Sequence, residues 1–176
     1  MDFSAGDGTI TAVGVGPKPG YGPLDTARDA AAAFLQFGAV SVVDVKSMVT
    51  RVVAQAAGGT VHRLNINDHG DATGFYIGKD WITEKTFGNY APLFVPLLQL
   101  LAKDAWVHLQ VCEVGQNEEL LRVLALAFGV PVYAGTGTYA AKPYSHQFGT
   151  WVRCSPSGTI YRRAYLPGES NYRFAK

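Results

Sequence analysis

Short apolar runs of the β type alternate with amphipathic helical segments along most of this chain, and this alternation limits the fold more than any other feature. Runs with the length and the branched or aromatic content of strands occupy residues 9–16, 39–43, 61–67, 106–111 and 130–134. Segments whose apolar residues recur at helical spacing occupy residues 25–37, 45–56, 92–102 and 118–128. Because the joints are short, the sequence predicts an α/β fold, a three-layer sandwich with a mostly parallel central sheet and helices on both faces.

Two further pairs of apolar runs are separated by turn residues instead of helices. Residues 75–77 and 81–83 flank one turn, and residues 151–154 and 159–162 flank another, so each pair is predicted to form a hairpin. The second would close the fold at its C-terminal end. A chain of 176 residues suits one domain with a full core. We expect a single domain in which 1–8 and 167–176 are loose ends.

The charge and the hydropathy of the chain argue against several classes of partner. Fifteen basic residues against fourteen acidic ones give a net charge of +1, so neither nucleic acid nor an anionic membrane surface is indicated. No apolar run approaches the roughly 20 residues that a membrane span needs. The N-terminus lacks the pattern of a signal peptide, so a cytoplasmic, reducing location is the default expectation. Export by a specialised secretion system would leave no mark in the sequence.

Two of the predicted strands are followed by residues that can do chemistry. The run 61–67 leads to His69, and the run 106–111 leads to Cys112. The carboxyl ends of parallel strands are where open α/β sheets usually hold their sites. The N-terminal end of a helix favours the thiolate form of a nearby cysteine, and the helix at 118–128 begins close by. The alternative from the residues alone is that Cys112 is a small buried apolar side chain.

The pattern around these two residues resembles a known family. The stretches Leu64–Gly70 and Val107–Gly115, each an apolar strand ending in His-Gly or in Cys, are similar to the caspase–haemoglobinase fold of cysteine peptidases (clan CD). The segment 120–135 is also similar to uncharacterised bacterial domains of this fold. The resemblance covers roughly residues 39–163, and it implies a caspase-like sandwich that hydrolyses peptide bonds.

The resemblance also implies roles for individual residues. Cys112 would be the nucleophile that forms an acyl-enzyme, and His69 would protonate the leaving amine or polarise the scissile carbonyl. The backbone N–H groups of Gly70 and Cys112 would form the oxyanion hole. No cofactor is implied, and the partner would be a protein or peptide substrate.

The residues around a substrate pocket depart from the family's patterns. Relatives that prefer basic substrates have Asp two residues before the cysteine, where this chain has Gln110. The caspase pattern Gln-Ala-Cys is closer, but Glu113 stands where caspases have arginine. Asp68 would supply negative charge to the pocket or cap its own loop, with capping the better supported. Asp68, Gln110 and Glu113 are thus candidate pocket residues, and no cleavage-site residue is predicted.

The other reactive side chains point to structural roles more than to function. We interpret His62 and His108 as structural residues within strands, and Cys154 as structural in the C-terminal hairpin. The segment Tyr144-Ser145-His146 is a loop that either lines a cleft or is simply solvated. No Cys-x-x-Cys or His-x-x-x-His spacing supports a metal site.

Three functions therefore compete. The sequence favours a cysteine endopeptidase acting through Cys112 and His69. A catalytically inactive module of the same fold that binds a protein partner is the alternative, and the small size of the chain supports it. A nucleotide- or small-ligand-binding domain using the loop 135–138 ranks last, because it lacks a phosphate-loop lysine. A dinucleotide loop at Gly14-x-Gly16 is disfavoured by Pro17, Pro19 and the lack of an immediate helix.

Overall fold

The computed structural model describes residues 8–15, 17–22, 39–140 and 146–167. Its strands are β1 Thr9–Gly14, β2 Val40–Val42, β3 Val61–Asn67, β4 Gly70–Asp71, β5 Gly74–Ile77, β6 Asp80–Ile82, β7 Leu101–Gln110, β8 Val132–Gly135, β9 Tyr139–Ala140, β10 His146–Gln147, β11 Trp151–Cys154 and β12 Ile160–Ala164. Its helices are α1 Val45–Ala56, α2 Phe87–Leu98 and α3 Glu118–Phe128, with a short 3₁₀ turn at Val114–Gln116. The helix predicted over 25–37 lies outside the described residues.

A seven-stranded sheet forms the centre of the molecule, in the order β2-β1-β3-β7-β8-β11-β12. The first five strands of that order are parallel to their neighbours, and β11 and β12 are antiparallel. This confirms the predicted α/β class, the mostly parallel sheet and the C-terminal hairpin. Strands β4, β5 and β6 form a small antiparallel sheet, which contains the predicted hairpin at residues 75–83, and β9 pairs with β10.

One face of the central sheet carries apolar side chains that align across five strands. The two aligned rows are Ile10, Leu64, Val107, Val132 and Cys154, then Ala12, Ile66, Leu109, Ala134 and Val152. All three described helices contribute buried side chains to the same core as these rows. Burying these rows removes apolar surface from water. This burial stabilises the fold by about 25 cal/mol for each Å² and is its main stabilising term.

The capping of α1 and α3 follows from the sequence. Oδ1 of Asp44 accepts the N–H of Ser47, and Oγ of Ser47 accepts the N–H of Asp44. This reciprocal capping box begins α1. Asn117 accepts the N–H of Leu120 at 3.0 Å and begins α3. Gly129, in the left-handed region at φ 67°, ends α3. None of the helices within the described ranges is long and apolar enough to cross a bilayer.

The boundaries of α2 and β7 differ from the prediction, which gave a helix over 92–102 and a strand from 106. The helix begins at Phe87, because Thr83 and Thr86 exchange side-chain-to-backbone hydrogen bonds of 2.9 and 3.1 Å just before it. Pro92 and Pro96 lie on its exposed side, within the helix. The helix ends at Leu98, and residues 101 and 102 already belong to β7.

Candidate functional site

The strands β3 and β7 bring His69 and Cys112 to the same edge of the sheet. The two strands are parallel, and Asn67 on β3 is paired with Gln110 on β7. His69 and Cys112 each follow two residues after this last pair, so they occupy matching positions beyond neighbouring strands. Both residues are partly exposed. A thiol-bearing residue and an imidazole-bearing residue thus lie beyond the carboxyl ends of adjacent strands.

The sulfur of Cys112 is held by the loop that follows β8. The N–H of Tyr139 donates to Sγ of Cys112 at 3.3 Å. The next residue, Glu113, adopts the left-handed region at φ 61°, and its N–H donates to the carbonyl of Gly137 at 2.9 Å. The chain therefore turns sharply directly after the cysteine. Hydrogen bonds at Cys112 and at Glu113 join this turn to the 137–139 segment.

Gly70 lies against the backbone of Cys112. A Cβ added at Gly70 would be 3.1 Å from the carbonyl oxygen of Cys112 and 3.0 Å from that of Gly74, so only glycine fits without displacing a neighbour. The N–H of Tyr76 donates to the carbonyl of His69, which makes these two a hydrogen-bonded pair of the antiparallel ladder. Gly70, opposite Phe75, is the next pair, and its N–H is directed away from β5.

The ring of Tyr21 packs against the His69 imidazole, and further aromatic rings follow behind Tyr21. The ring centroid of Tyr21 lies 4.5 Å from that of His69, at an interplanar angle of 46°. Tyr21 also meets Tyr76 edge to face at 6.2 Å, and Tyr76 packs on Trp81 at 4.5 Å. This contact could not be predicted from the sequence, because Tyr21 lies in a Pro/Gly-rich loop without periodicity.

Asp68 is buried and paired. Its carboxylate lies 3.0 Å from Nζ of Lys18, with side-chain exposures of 1% and 0%. It also accepts the N–H groups of His69 at 2.7 Å and of Gly78 at 2.8 Å. Burial raises the pKa of the Asp68 carboxyl, and the nearby Lys18 opposes that rise only in part. These contacts suit a residue that fixes the loop before His69, the role favoured from the sequence.

The other two candidate pocket residues lie beside the cysteine. Gln110 is partly buried. Its Oε1 atom and the Nδ2 atom of its strand neighbour Asn67 are both buried, and neither has a hydrogen-bond partner among the described residues. The two strand positions thus offer one acceptor and one donor on the face of the sheet opposite the apolar core. Glu113 is partly exposed.

The remaining histidines and Cys154 make contacts of a structural kind. Nδ1 of His108 lies 3.3 Å from Nη2 of Arg63, and burial lowers the pKa of His108 to about 3. His62 pairs with Asp104 at 3.1 Å on the surface. Cys154 is fully buried, burial raises the pKa of its thiol, and both cysteines are free.

Some of the residues singled out from the sequence lie outside the described ranges. Gly16 and the segment 141–145 lie outside them, so the dinucleotide loop and most of the Tyr144–His146 loop are not described. His146 belongs to β10. Gly135, the last residue of β8, packs against Gly115 in the turn after Cys112. No group of three or more His, Cys, Asp or Glu side chains that could hold a metal occurs in the part of the chain that the structure covers.

Comparison with known proteins shows a distant structural likeness. No family model matches the sequence. No curated protein matches it either. Among solved structures, the Arg-specific cysteine proteinase gingipain R is similar over 77% of this chain, at 13% identity and a TM-score of 0.33. The chain spans about a third of the length of that protein (33%). A TM-score of this size supports no conclusion about function.

Proposed function

We propose that this protein is a caspase-like cysteine endopeptidase that cleaves peptide bonds through Cys112 and His69. The observation that carries the proposal is the matched position of the two side chains, both partly exposed, two residues beyond the paired Asn67 and Gln110. A nucleophilic thiol and a proton-transfer group at one accessible edge are the minimum that acyl transfer requires.

In this mechanism His69 takes the proton of the Cys112 thiol, and the resulting thiolate attacks the carbonyl carbon of the substrate's peptide bond. The carbonyl oxygen becomes an oxyanion, which the N–H groups of Gly70 and Cys112 stabilise by about 3 kcal/mol each. The C–N bond breaks as His69 gives a proton to the leaving amine, and a thioester remains on Cys112. Water then attacks the thioester and releases the acid and the thiol.

The surroundings support these roles. Gly70 lies against the carbonyl oxygen of Cys112, so the backbones of the two proposed donor residues are neighbours, and the N–H of Gly70 is directed away from β5. Gln110 and Glu113, both partly exposed residues, would line the substrate pocket. Asp68 would act on that pocket only through the loop, since Lys18 already neutralises it.

The test is covalent capture of the nucleophile. The wild-type protein would be treated with a mixture of peptidyl acyloxymethyl ketones that carries all twenty residues next to the reactive group, and the labelled cysteine would be located by mass spectrometry. We expect an adduct on Cys112, none in Cys112→Ala, and an unchanged adduct in the matched variant Cys154→Ala. Peptide hydrolysis, measured with a fluorogenic library of the same design, should be lost with Cys112→Ala.

An inactive module that binds a protein partner is the second candidate. It is favoured by the hydrogen bond that Sγ of Cys112 accepts from the N–H of Tyr139 at 3.3 Å, a contact that suits a structural cysteine. Labelling of Cys112 by simple alkylating agents only, at a rate that His69→Ala does not change, would support the inactive module and contradict the peptidase.

A further inference from the structure

The segment 17–22 is anchored to the residue that precedes His69. The Lys18 side chain is 0% exposed and its ammonium group lies 3.0 Å from the Asp68 carboxylate. Gly14 leaves the room for this pair, since a Cβ there would overlap the Asp68 carboxylate. Asp68 in turn accepts the backbone N–H of His69. A buried ion pair of this kind fixes geometry, because neither charge can leave the other without a large desolvation penalty.

The same segment carries Tyr21 to the imidazole. The N–H of Tyr21 donates to the carbonyl of Lys18 at 3.1 Å, so a tight turn separates the anchor from the ring. The Tyr21 ring then lies 4.5 Å from the His69 ring on one side and 6.2 Å from the Tyr76 ring on another. Tyr76 itself packs on Trp81, so the ring that Tyr21 contacts is held by a further aromatic contact.

We propose that Tyr21 is a positioning residue that sets the orientation of the His69 imidazole. The inference rests on the proposed function, in which His69 transfers protons. A histidine at a groove can rotate about two side-chain bonds, and a ring packed at 4.5 Å removes the orientations that would overlap it. Tyr21 itself is 39% exposed.

Orientation matters because proton transfer requires hydrogen-bond geometry between the imidazole and the reacting group. A base that samples several orientations spends only part of its time in the reactive one. The Tyr21 and His69 rings are in direct contact. Phenylalanine should therefore replace tyrosine, whereas leucine should not.

The experiment compares alkylation of Cys112 by iodoacetamide in four variants of the full chain. His69→Ala reports whether the imidazole activates the thiol at all, Tyr21→Leu removes the ring, and Tyr21→Phe keeps it. Tyr165→Leu is the matched control, since Tyr165 is an exposed tyrosine on the chain beyond β12. We expect Tyr21→Leu to slow the reaction by about tenfold, a part of the 10²–10⁴-fold that a positioned acid or base contributes. Tyr21→Phe and Tyr165→Leu should react at the wild-type rate.

The outcomes separate the two proposals. If His69→Ala reacts at the wild-type rate, the Cys112–His69 pair of the proposed function is wrong. If His69→Ala is slow and Tyr21→Leu is not, the peptidase stands and the positioning role of Tyr21 is overturned. Equal slowing by Tyr21→Phe and Tyr21→Leu would also overturn it. The wild-type protein gives an independent readout: nuclear Overhauser effects between the ring protons of Tyr21 and His69 are expected, and their absence contradicts the contact whether or not the variants fold.

Discussion

At the scale of single residues, the two cysteines carry the same thiol in opposite surroundings. Cys112 is partly exposed at the strand end, whereas Cys154 has 0% exposure and a pKa raised mainly by burial. A thiol reacts as its thiolate and must be reachable. We therefore expect iodoacetamide to modify Cys112 in the folded protein and Cys154 only after unfolding, as peptide mapping by mass spectrometry would show. Modification of Cys154 first would contradict the core packing of β11.

This difference in exposure affects how labelling data must be used. Cys112 should react before Cys154 whether or not it is catalytic, because burial alone protects Cys154. A comparison of the two cysteines therefore tests the fold. Only the effect of His69→Ala on the Cys112 rate tests the chemistry.

The buried pair Lys18–Asp68 leads to a second prediction. Lys18→Met keeps the apolar stem but leaves a carboxylate at 1% exposure without its cation. Removing one partner of a buried pair typically costs about 3–5 kcal/mol. Because burial already raises the pKa of Asp68, uptake of a proton should place the loss at the lower end of that range. Urea unfolding at pH 7 measures it.

The control for Lys18→Met is another lysine paired with an aspartate. Lys79 lies 3.5 Å from Asp44, but its side chain is 60% exposed. Exposed pairs contribute about 0–1 kcal/mol, so Lys79→Met should leave the unfolding midpoint almost unchanged. Equal losses in the two variants would mean that Lys18 and Asp68 are not buried together in solution.

The residues that could be predicted from the sequence are those whose signal is local. His69 and Cys112 each follow a recognisable apolar run, and the register of β3 and β7 brings the two ends level. Tyr21 and Lys18 could not be found in this way. Their partners are far along the chain, and the loop that carries them has no periodic pattern from which a contact could be inferred.

At the scale of elements, the 3₁₀ turn after Cys112 must pack closely on the end of β8. A Cβ at Gly115 would lie 2.7 Å from the backbone of Gly135, although Gly115 itself does not have a positive φ. Gly115→Ala should therefore destabilise the protein by about 1–3 kcal/mol, the usual effect of overpacking. Its strain falls on the turn that holds Cys112, so the rate of Cys112 alkylation should change as well.

Gly88 provides the matched control for Gly115→Ala. It lies in α2, has no atom within 4 Å of an added Cβ, and has an ordinary φ. Alanine there should stabilise the protein by about 0.5–1 kcal/mol, because it reduces the entropy of the unfolded chain. Thermal unfolding of the two variants checks the pair. A stable Gly115→Ala protein with unchanged alkylation would contradict the packing of the turn on β8.

Elements with both a cap and a periodic face were predicted closely, and α1 and α3 are the examples. The predicted start of α2 at residue 92 lies five residues after the observed start at Phe87. The reciprocal bonds of Thr83 and Thr86 decide that start. Such a Thr-x-x-Thr pattern is a weaker sequence signal than Asp-x-x-Ser or Asn-Glu-Glu, although it satisfies the same backbone groups.

At the scale of the whole molecule, the two faces of the sheet bury different kinds of side chain. The face opposite the apolar core carries a buried polar and aromatic layer. Arg63 packs over Trp106 at 4.4 Å, and the His108 ring meets Trp151 edge to face at 4.9 Å. His108 is 3% exposed, and burial, with a smaller contribution from Arg63, lowers its pKa to about 3. This neutral imidazole links the stability of the whole fold to pH.

The direction of this link follows from the two states. The unfolded chain takes up a proton on His108 near pH 6.5, whereas the folded protein does so only near pH 3. Between these values the unfolded state binds more protons, so the free energy of unfolding should fall as the pH is lowered, by up to about 1.4 kcal/mol per pH unit from this one group. His108→Gln should remove most of that slope, and urea unfolding at several pH values between 7 and 4 measures it. A slope that is the same in wild type and His108→Gln would mean that His108 meets water in the folded protein, and that the polar layer is open at its centre.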